Sequence, residues 1–263
     1  RSGLRMGHAE LIDHMFFDGL QSPFDGHMMG HFADATAKKY GFTREQQDEF
    51  AAESVRRALG AVESGHFDGE VAAVTVKDRK GERIVAKDDR PFTCDLAKIP
   101  QLKPAFNKDG TVTAASSSSI SDGAAVAVLA DARVVREMKL RPLARVVAYT
   151  SHAQEPEWFT TAPVGAIRSV LKRAGWNVGD VDLFEINEAF ACVTMAAIHD
   201  LKLDHAKVNV HGGACALGHP IGATGARIMT TLLHALKRRG LKRGVASLCI
   251  GGGEATAMAV EMI

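Results

Sequence analysis

Three residues at the ends of apolar runs have the side chains for concerted acid–base chemistry: Asn187 in NEAF, His219 in GGACALGHPIGATGARI (residues 212–228) and Cys249 in CIGGGE. His219 stands among five glycines. Pro220 restricts it to extended geometry, so the imidazole projects from a turn rather than from a helix face. The glycines leave space for a carbonyl or thioester to approach. Cys249 is followed closely by three glycines, whose N–H groups can face a developing oxyanion. Asn187 brings an amide to a strand-to-helix junction, and all three fall where ligands bind in open α/β sheets.

Each residue has a plainer explanation. His219 could be a hydrogen-bonded structural histidine, Cys249 a small buried hydrophobe, and Asn187 the cap of the helix that follows. Their joint occurrence at successive strand ends favours a shared site. Phosphate binding by the glycine loop is disfavoured, because His219 stands where a P-loop needs lysine and no G-x-G-x-x-G follows a strand. Two chemistries fit the trio. A Cys–His–Asn hydrolase would use Cys249 as nucleophile, His219 as base and Asn187 to orient the ring, but Cys249 lies in a strand and not at a helix N-terminus that would activate it. Claisen chemistry on a thioester, with His and Asn supporting an oxyanion while a thiolate takes an α-proton, suits CIGGG better.

The elements that position these residues are legible in part. Residues 43–64 begin at a Thr43 cap and keep Phe50, Val55, Leu59 and Val62 on one face, which predicts an amphipathic helix. EVAAVTVKDRKGERIV (70–85) alternates around a Lys80-Gly81 turn and predicts a hairpin. Prolines at 91, 100 and 104 predict an irregular surface segment, so the first part of the chain reads as an α+β cap. Further on, strands are predicted in LARVVAYTSHA, VDLFEI and AKVNV and helices in VGAIRSVLKRAG and EAFACVTMAAIHD, the punctuation of βαβ units and a parallel sheet. GARIMTTLLHALKRRG follows as a helix closed by Gly240, and GVASLCIGG and ATAMAVEMI as two closing strands. SDGAAVAVLA (121–130) echoes GGGEATAMAV (251–260) as a glycine turn feeding a strand.

The chain has 263 residues, 46% hydrophobic, with 32 basic against 31 acidic side chains. This is the composition of a globular protein with no bulk attraction to nucleic acid or an acidic membrane. Its longest apolar run, AFACVTMAAI, is half a membrane span. Four cysteines without a C-x-x-C pair read as reduced thiols in a cytoplasmic setting. The opening RSGLRMGHAE, with Arg1 in place of an initiator methionine, reads as the start of an incomplete chain, so an organellar address stays open.

These residues resemble the thiolase family, the acetyl-CoA acetyltransferases and 3-ketoacyl-CoA thiolases. The matching stretches are KKYGFTREQQDEFA, LKPAFNKDGTVTAASSSSISDGAA, NEAFA, VNVHGGACALGHPIGATGARI and CIGGGEATAMAVE, in the family's order over nearly the whole chain. The resemblance implies an α/β thiolase fold with layered α-β-α-β-α architecture, incomplete here. Residues 1–120 would form the loop domain, 121–140 the end of an N-terminal domain that is otherwise mostly lacking, and 141–263 the C-terminal domain.

It also implies roles. His219 would activate a nucleophilic cysteine and serve one oxyanion hole. Cys249 would abstract or return the α-proton, Asn187 would hold a water of the first oxyanion hole, and the Gly251 N–H would belong to the second. Ser118, Ala114 and Phe106 match positions lining the pantetheine arm of coenzyme A, with Phe190 and Met29 flanking the acyl end. By itself the run of serines at 116–119 reads as a solvated linker. No cysteine here fits the family's nucleophile, so the chain alone is expected not to complete a ping-pong cycle. Met28 stands where many members carry a substrate-pocket histidine associated with acetoacetyl-type substrates, with His27 one place earlier, and the adjacent MMG is compatible with a wider pocket for longer 3-ketoacyl chains. The implied substrates are acetyl-CoA, acyl-CoA and CoA, with no cofactor and no metal, in a homodimer or homotetramer. Two alternatives remain: a β-ketoacyl synthase, which should carry a second histidine in place of Cys249, and a non-catalytic acyl-CoA or lipid-binding relative.

Overall fold

The computed structural model describes residue 3 and residues 5–79 and 81–263. Arg1 and Lys80, which entered the readings of the chain's start and of the hairpin turn, lie outside the described residues. Helix α1 (Met29–Tyr40) is an element that sequence periodicity did not announce. It buries Phe32, Ala33 and Ala37 and ends at Gly41 in the left-handed region, φ 67°, where glycine carries no Cβ penalty. Helix α2 (Arg44–Glu63) starts at Thr43 through a reciprocal capping box with Gln46. As predicted, it buries Phe50, Val55 and Val62. Strands β1 (Val74–Asp78) and β2 (Gly81–Val85) form the expected antiparallel hairpin, which lies largely exposed. The proline-containing stretch after it adds the short helices α3 (Arg90–Thr93) and a 3-10 turn at Leu96–Gln101, with Pro91 and Ile99 buried.

The larger core surrounds a four-stranded sheet of β3 (Ala144–Ala153), β4 (Leu183–Ile186), β5 (Arg243–Ile250) and β6 (Glu254–Met262), in the order β3-β6-β5-β4. Helices α5 (Ala162–Ala174) and α6 (Ala191–Leu201) cover one face, with Val164, Ile167 and Val170 packed on Phe184, Val245 and Ala257. The short α4 (Ala132–Glu137) precedes β3 in the chain, α7 (Ala214–Leu217) follows the glycine pair, and α8 (Thr224–Arg239) covers the other face. There Ile228, Leu232 and Leu236 meet Leu183, Ala246 and Val260. Neighbours such as Leu183 and Phe184 point to opposite layers because strand side chains alternate. Truncating one of these fully buried leucines removes about 2–5 kcal/mol, so both helical layers fix the sheet ends firmly.

Three expectations are corrected. The sheet is mixed rather than parallel: only β4 and β5 run parallel, and β6 pairs antiparallel with both neighbours. The reason is the short Gly251–Gly253 turn, which can join only antiparallel strands. AKVNV is not a full strand but a 3-10 turn at His205–Lys207 and a single bridge of Val208 to Phe184. Asn209 leaves the extended region at φ 48°. Its side-chain amide bonds both the N–H and the C=O of Ile186 at 2.8 Å, substituting for the missing strand backbone. Residues 121–130 form no strand among the described residues, and Val126, Val128 and Leu129 are exposed.

Candidate active site

Asn187 directly follows β4, its N–H donating to Ser247 O at 2.9 Å. It is not the cap of α6. That position belongs to Phe190, which is extended and makes no side-chain cap bond. The buried Asn187 amide is thereby free for other work, and its Nδ2 lies 3.4 Å from His219 Nε2. Its Oδ1 is buried without a partner. An unsatisfied buried acceptor costs roughly 1–3 kcal/mol, so this oxygen is a place for a donor from water or substrate.

His219 is half-buried, and its N–H donates to Ser119 O at 3.1 Å. Its Nδ1 is 2.6 Å from Thr224 Oγ1 at the start of α8. Burial, with the Arg227 guanidinium in addition, pushes its pKa down to about 4. The ring is therefore neutral at neutral pH, the form a general base requires.

The glycines around it have separate reasons. Gly212 has φ 78°, and a Cβ there would meet Ala58 at 2.9 Å as well as the Ser54 carbonyl. Gly213 is extended, and a Cβ would collide with the Glu188 carboxylate, including Oε2 at 2.6 Å. Gly218 has φ 89°, and a Cβ would strike Ser121.

Glu188, the neighbour of Asn187, was missed as a functional residue. It is 1% exposed and accepts from Ser54 Oγ at 2.7 Å, Asn209 Nδ2 at 2.8 Å and the Cys215 N–H at 3.1 Å. This buried acceptor ties α2, the post-β4 turn and the glycine loop into one piece, because each lost bond to a charged group costs about 1.5–3 kcal/mol. A carboxylate beside Asn187 inside NEAF was the available signal; Ser54, on a helix face otherwise read as packing, offered none.

Cys249 lies near the end of β5, 7% exposed, in an apolar cluster with Met29, Phe32, Phe190 and Cys192. Desolvation pushes its thiol up to about 12. The resting group is thus a thiol, suited to giving a proton. Gly251 sits against Met29, since a Cβ would lie 2.8 Å from its Sδ. Of the remaining thiols, Cys192 is buried with Sγ 3.5 Å from Ala33 O, Cys215 is buried in α7, and Cys94 is partly exposed. All four are free.

The positions assigned to the pantetheine arm converge in part. Ser118 is pinned to Ala189 O by its N–H at 3.1 Å and its Oγ at 3.0 Å. Phe106 packs edge-on against Phe190 with ring centroids 5.9 Å apart. The absence of a side chain at Gly30 permits Phe106 to lie on the start of α1. Ala114 is exposed in the turn beside these groups. The serines are not a solvated linker: Ser116 and Ser117 are buried and bonded to Thr113. Beside His219 an open groove of about 460 Å³ is lined by residues 121–125 and 220–223. Asn187 and His219 therefore touch directly. Cys249 packs in the cluster of Met29 and Phe190, and Ser119 links the serine segment to His219. His27, by contrast, turns to Asp25 at 3.1 Å and stacks on His31 at 4.3 Å.

Comparison with known proteins gives two family matches: the thiolase N-terminal domain over residues 1–133 and the thiolase C-terminal domain over residues 140–262. The first match takes in the helical cap and most of the stretch read as the end of the N-terminal domain. The chain is 47% identical over 260 residues to an acetyl-CoA acetyltransferase of Pseudomonas aeruginosa, covering 98% of this chain and 66% of that protein. It superposes with a TM-score of 0.95 on the crystal structure of the Bacillus anthracis acetyl-CoA acetyltransferase, at 45% identity, covering all of this chain and 67% of the other. The Acat5 thiolase of Ascaris suum in complex with coenzyme A gives 0.89 at 40% identity, with the same coverage. The chain thus spans about two thirds of the length of the relatives it matches.

Proposed function

The chain belongs to the thiolase family, and on that premise we propose that it carries the proton-transfer half of an acyl-CoA C-acetyltransferase site. The reaction interconverts 3-ketoacyl-CoA plus CoA with acyl-CoA plus acetyl-CoA. The observation that carries this reading is the contact of Asn187 with a neutral, desolvated His219; a protonated Cys249, packed in an apolar cluster with Met29 and Phe190, supports it. In thiolysis the neutral imidazole takes the proton of an attacking thiol as its sulfur bonds to the 3-keto carbon. The Cα–Cβ bond then breaks, and the electron pair left on the α-carbon takes the Cys249 proton, releasing acetyl-CoA. Condensation is the reverse. Oxyanion charge would be met by a water held at Asn187 Oδ1 and by the Gly251 N–H, donors preorganised before charge develops.

The acyl intermediate needs a further thiol. Cys192 shares the apolar cluster of Cys249, but burial raises its thiol as it does that of Cys215, and Cys94 lies just after α3, which supports a nucleophile other than these three. Coenzyme A would lie along Ser118, Ala114 and Phe106; the coenzyme A complex of the Ascaris suum relative supports the class of ligand. Met29 against Gly251, with Met28 where many members have histidine, supports longer 3-ketoacyl chains. Exposed β3, an edge strand with Tyr149 69% exposed, supports a homo-oligomer. The test is thiolysis of 3-ketoacyl-CoAs of graded length by the complete protein, which supplies the acylated thiol, and by its Cys249→Ala variant. Loss of both directions in the variant is expected; unimpaired turnover removes Cys249 from the reaction.

A further inference from the structure

His219 has two neutral tautomers, and only the one with a bare Nε2 can take a proton at the Asn187 side. Two contacts bear on the choice. At Nε2 the partner is an amide nitrogen, Asn187 Nδ2 at 3.4 Å, which can only donate. At Nδ1 the partner is the Thr224 hydroxyl at 2.6 Å, which can donate or accept. That hydroxyl has a second neighbour, Pro220 O at 3.0 Å, one helical turn back. Hydroxyls at helix positions commonly donate to the carbonyl four residues earlier. With its single proton directed there, Thr224 Oγ1 offers His219 only lone pairs.

We propose that Thr224 is a positioning residue: it accepts the Nδ1–H of His219 while donating to Pro220 O, and so holds the ring in the tautomer whose Nε2 lone pair faces Asn187. The arrangement gives the His219 Nδ1–H and the Thr224 hydroxyl proton one acceptor each. It leaves one unfilled buried group, the Asn187 Oδ1 acceptor. Reversing every bond would turn the Asn187 amide and direct the Thr224 proton at His219 Nδ1, forgoing its bond to Pro220 O. The local backbone supports the assignment. Thr224 is fully buried and is fixed as the first residue of α8, while the Pro220 carbonyl already receives the N–H groups of Ala223 and Thr224. The hydroxyl and the ring are therefore held in one turn, residues 219–224, and do not depend on a distant element for their alignment.

This inference rests on the reading of His219 as the base, and the experiment separates the two. Long-range proton–nitrogen spectra of the chain labelled with 15N in its histidine rings, at neutral pH, report which nitrogen of His219 is protonated; the signal is assigned by its loss in His219→Asn. A single Nδ1–H tautomer is expected in the wild type and in Thr224→Ser, which keeps the hydroxyl. In Thr224→Val the tautomer ratio should shift by about tenfold toward Nε2–H, the equivalent of one hydrogen bond. An Nε2–H ring in the wild type overturns the proposal, as does an unchanged ratio in Thr224→Val. If the valine variant does not fold, the wild-type and serine spectra decide. A correct tautomer in a protein with no proton-transfer activity would sink the proposed reaction and leave the role of Thr224 standing.

Discussion

Replacing Gly213 by alanine isolates the device that shapes the glycine loop. Gly213 has φ −134° and ψ −157°, a backbone that any residue adopts, so the change carries no conformational penalty of its own. Its entire effect should come from the Cβ meeting the Glu188 carboxylate. That carboxylate cannot simply retreat, because Ser54, Asn209 and the Cys215 N–H hold it. Overpacking of this kind costs about 1–3 kcal/mol, and displacing one bond to the charged group adds about 1.5–3; a loss of roughly 3–5 kcal/mol follows if both occur. Urea denaturation of four proteins, wild type, Gly213→Ala, Glu188→Ala and the double variant, reads the coupling directly. Glu188→Ala should be costly by itself, but Gly213→Ala on that background should cost less than about 1 kcal/mol, because the obstructing atoms are gone. Gly60→Ala, in α2 with nothing near the added Cβ, should instead gain up to about 1 kcal/mol. If Gly213→Ala costs the same with and without Glu188, the carboxylate is not what demands glycine, and the account of this loop fails.

Alkylation should discriminate among the thiols. Cys94 is the one partly exposed cysteine, while burial holds Cys192, Cys215 and Cys249 well above the ordinary thiol range. Since the thiolate is the reactive form, mass spectrometry after limited iodoacetamide treatment should find Cys94 modified first, and early labelling of Cys249 would contradict its desolvation. His211 is 2% exposed with neither ring nitrogen partnered. Burial, then the neighbouring His66, Arg239 and Arg238, lower its pKa from 6.5 to about 4. The unfolded chain takes up this proton first, so stability is lost as pH falls from 6.5 toward 4. His211→Asn should flatten that loss by up to about 3 kcal/mol, and an unchanged acid profile would show that the histidine does not titrate as its burial requires.

The site was legible where chemistry and local geometry coincide. Asn187 and His219 were paired as neighbours of one site, and they touch, although His219 follows α7 and not a strand. The reading of α2 from its Thr43 cap and apolar face was sound because both signals are local. Long-range substitutions were harder. Asn209 replaces a strand with its side chain, so AKVNV carries a strand's apolar pattern without a strand's pairing. Sheet direction was misread because the βαβ punctuation upstream was extended to the whole sheet, although the glycine turn between the two closing strands admits only an antiparallel pair. Helix α1 lacks a polar cap residue, its entry being Met28, and so gave no start signal. The protonation states of His219 and Cys249 arise from burial by α1, the loop and the sheet together, which no single stretch of sequence encodes.

The account stands on Cys249 and His219 moving a proton at the carbon beside a thioester. Incubating the chain with acetyl-CoA in deuterated water and following the methyl signal by NMR measures that step without an acyl intermediate. Solvent deuterium should enter the methyl group in the presence of the wild-type chain, and the rate should fall by about 10²–10⁴-fold in Cys249→Ala, the range that general acid–base groups contribute. Exchange that proceeds equally fast in the alanine variant would contradict the assignment.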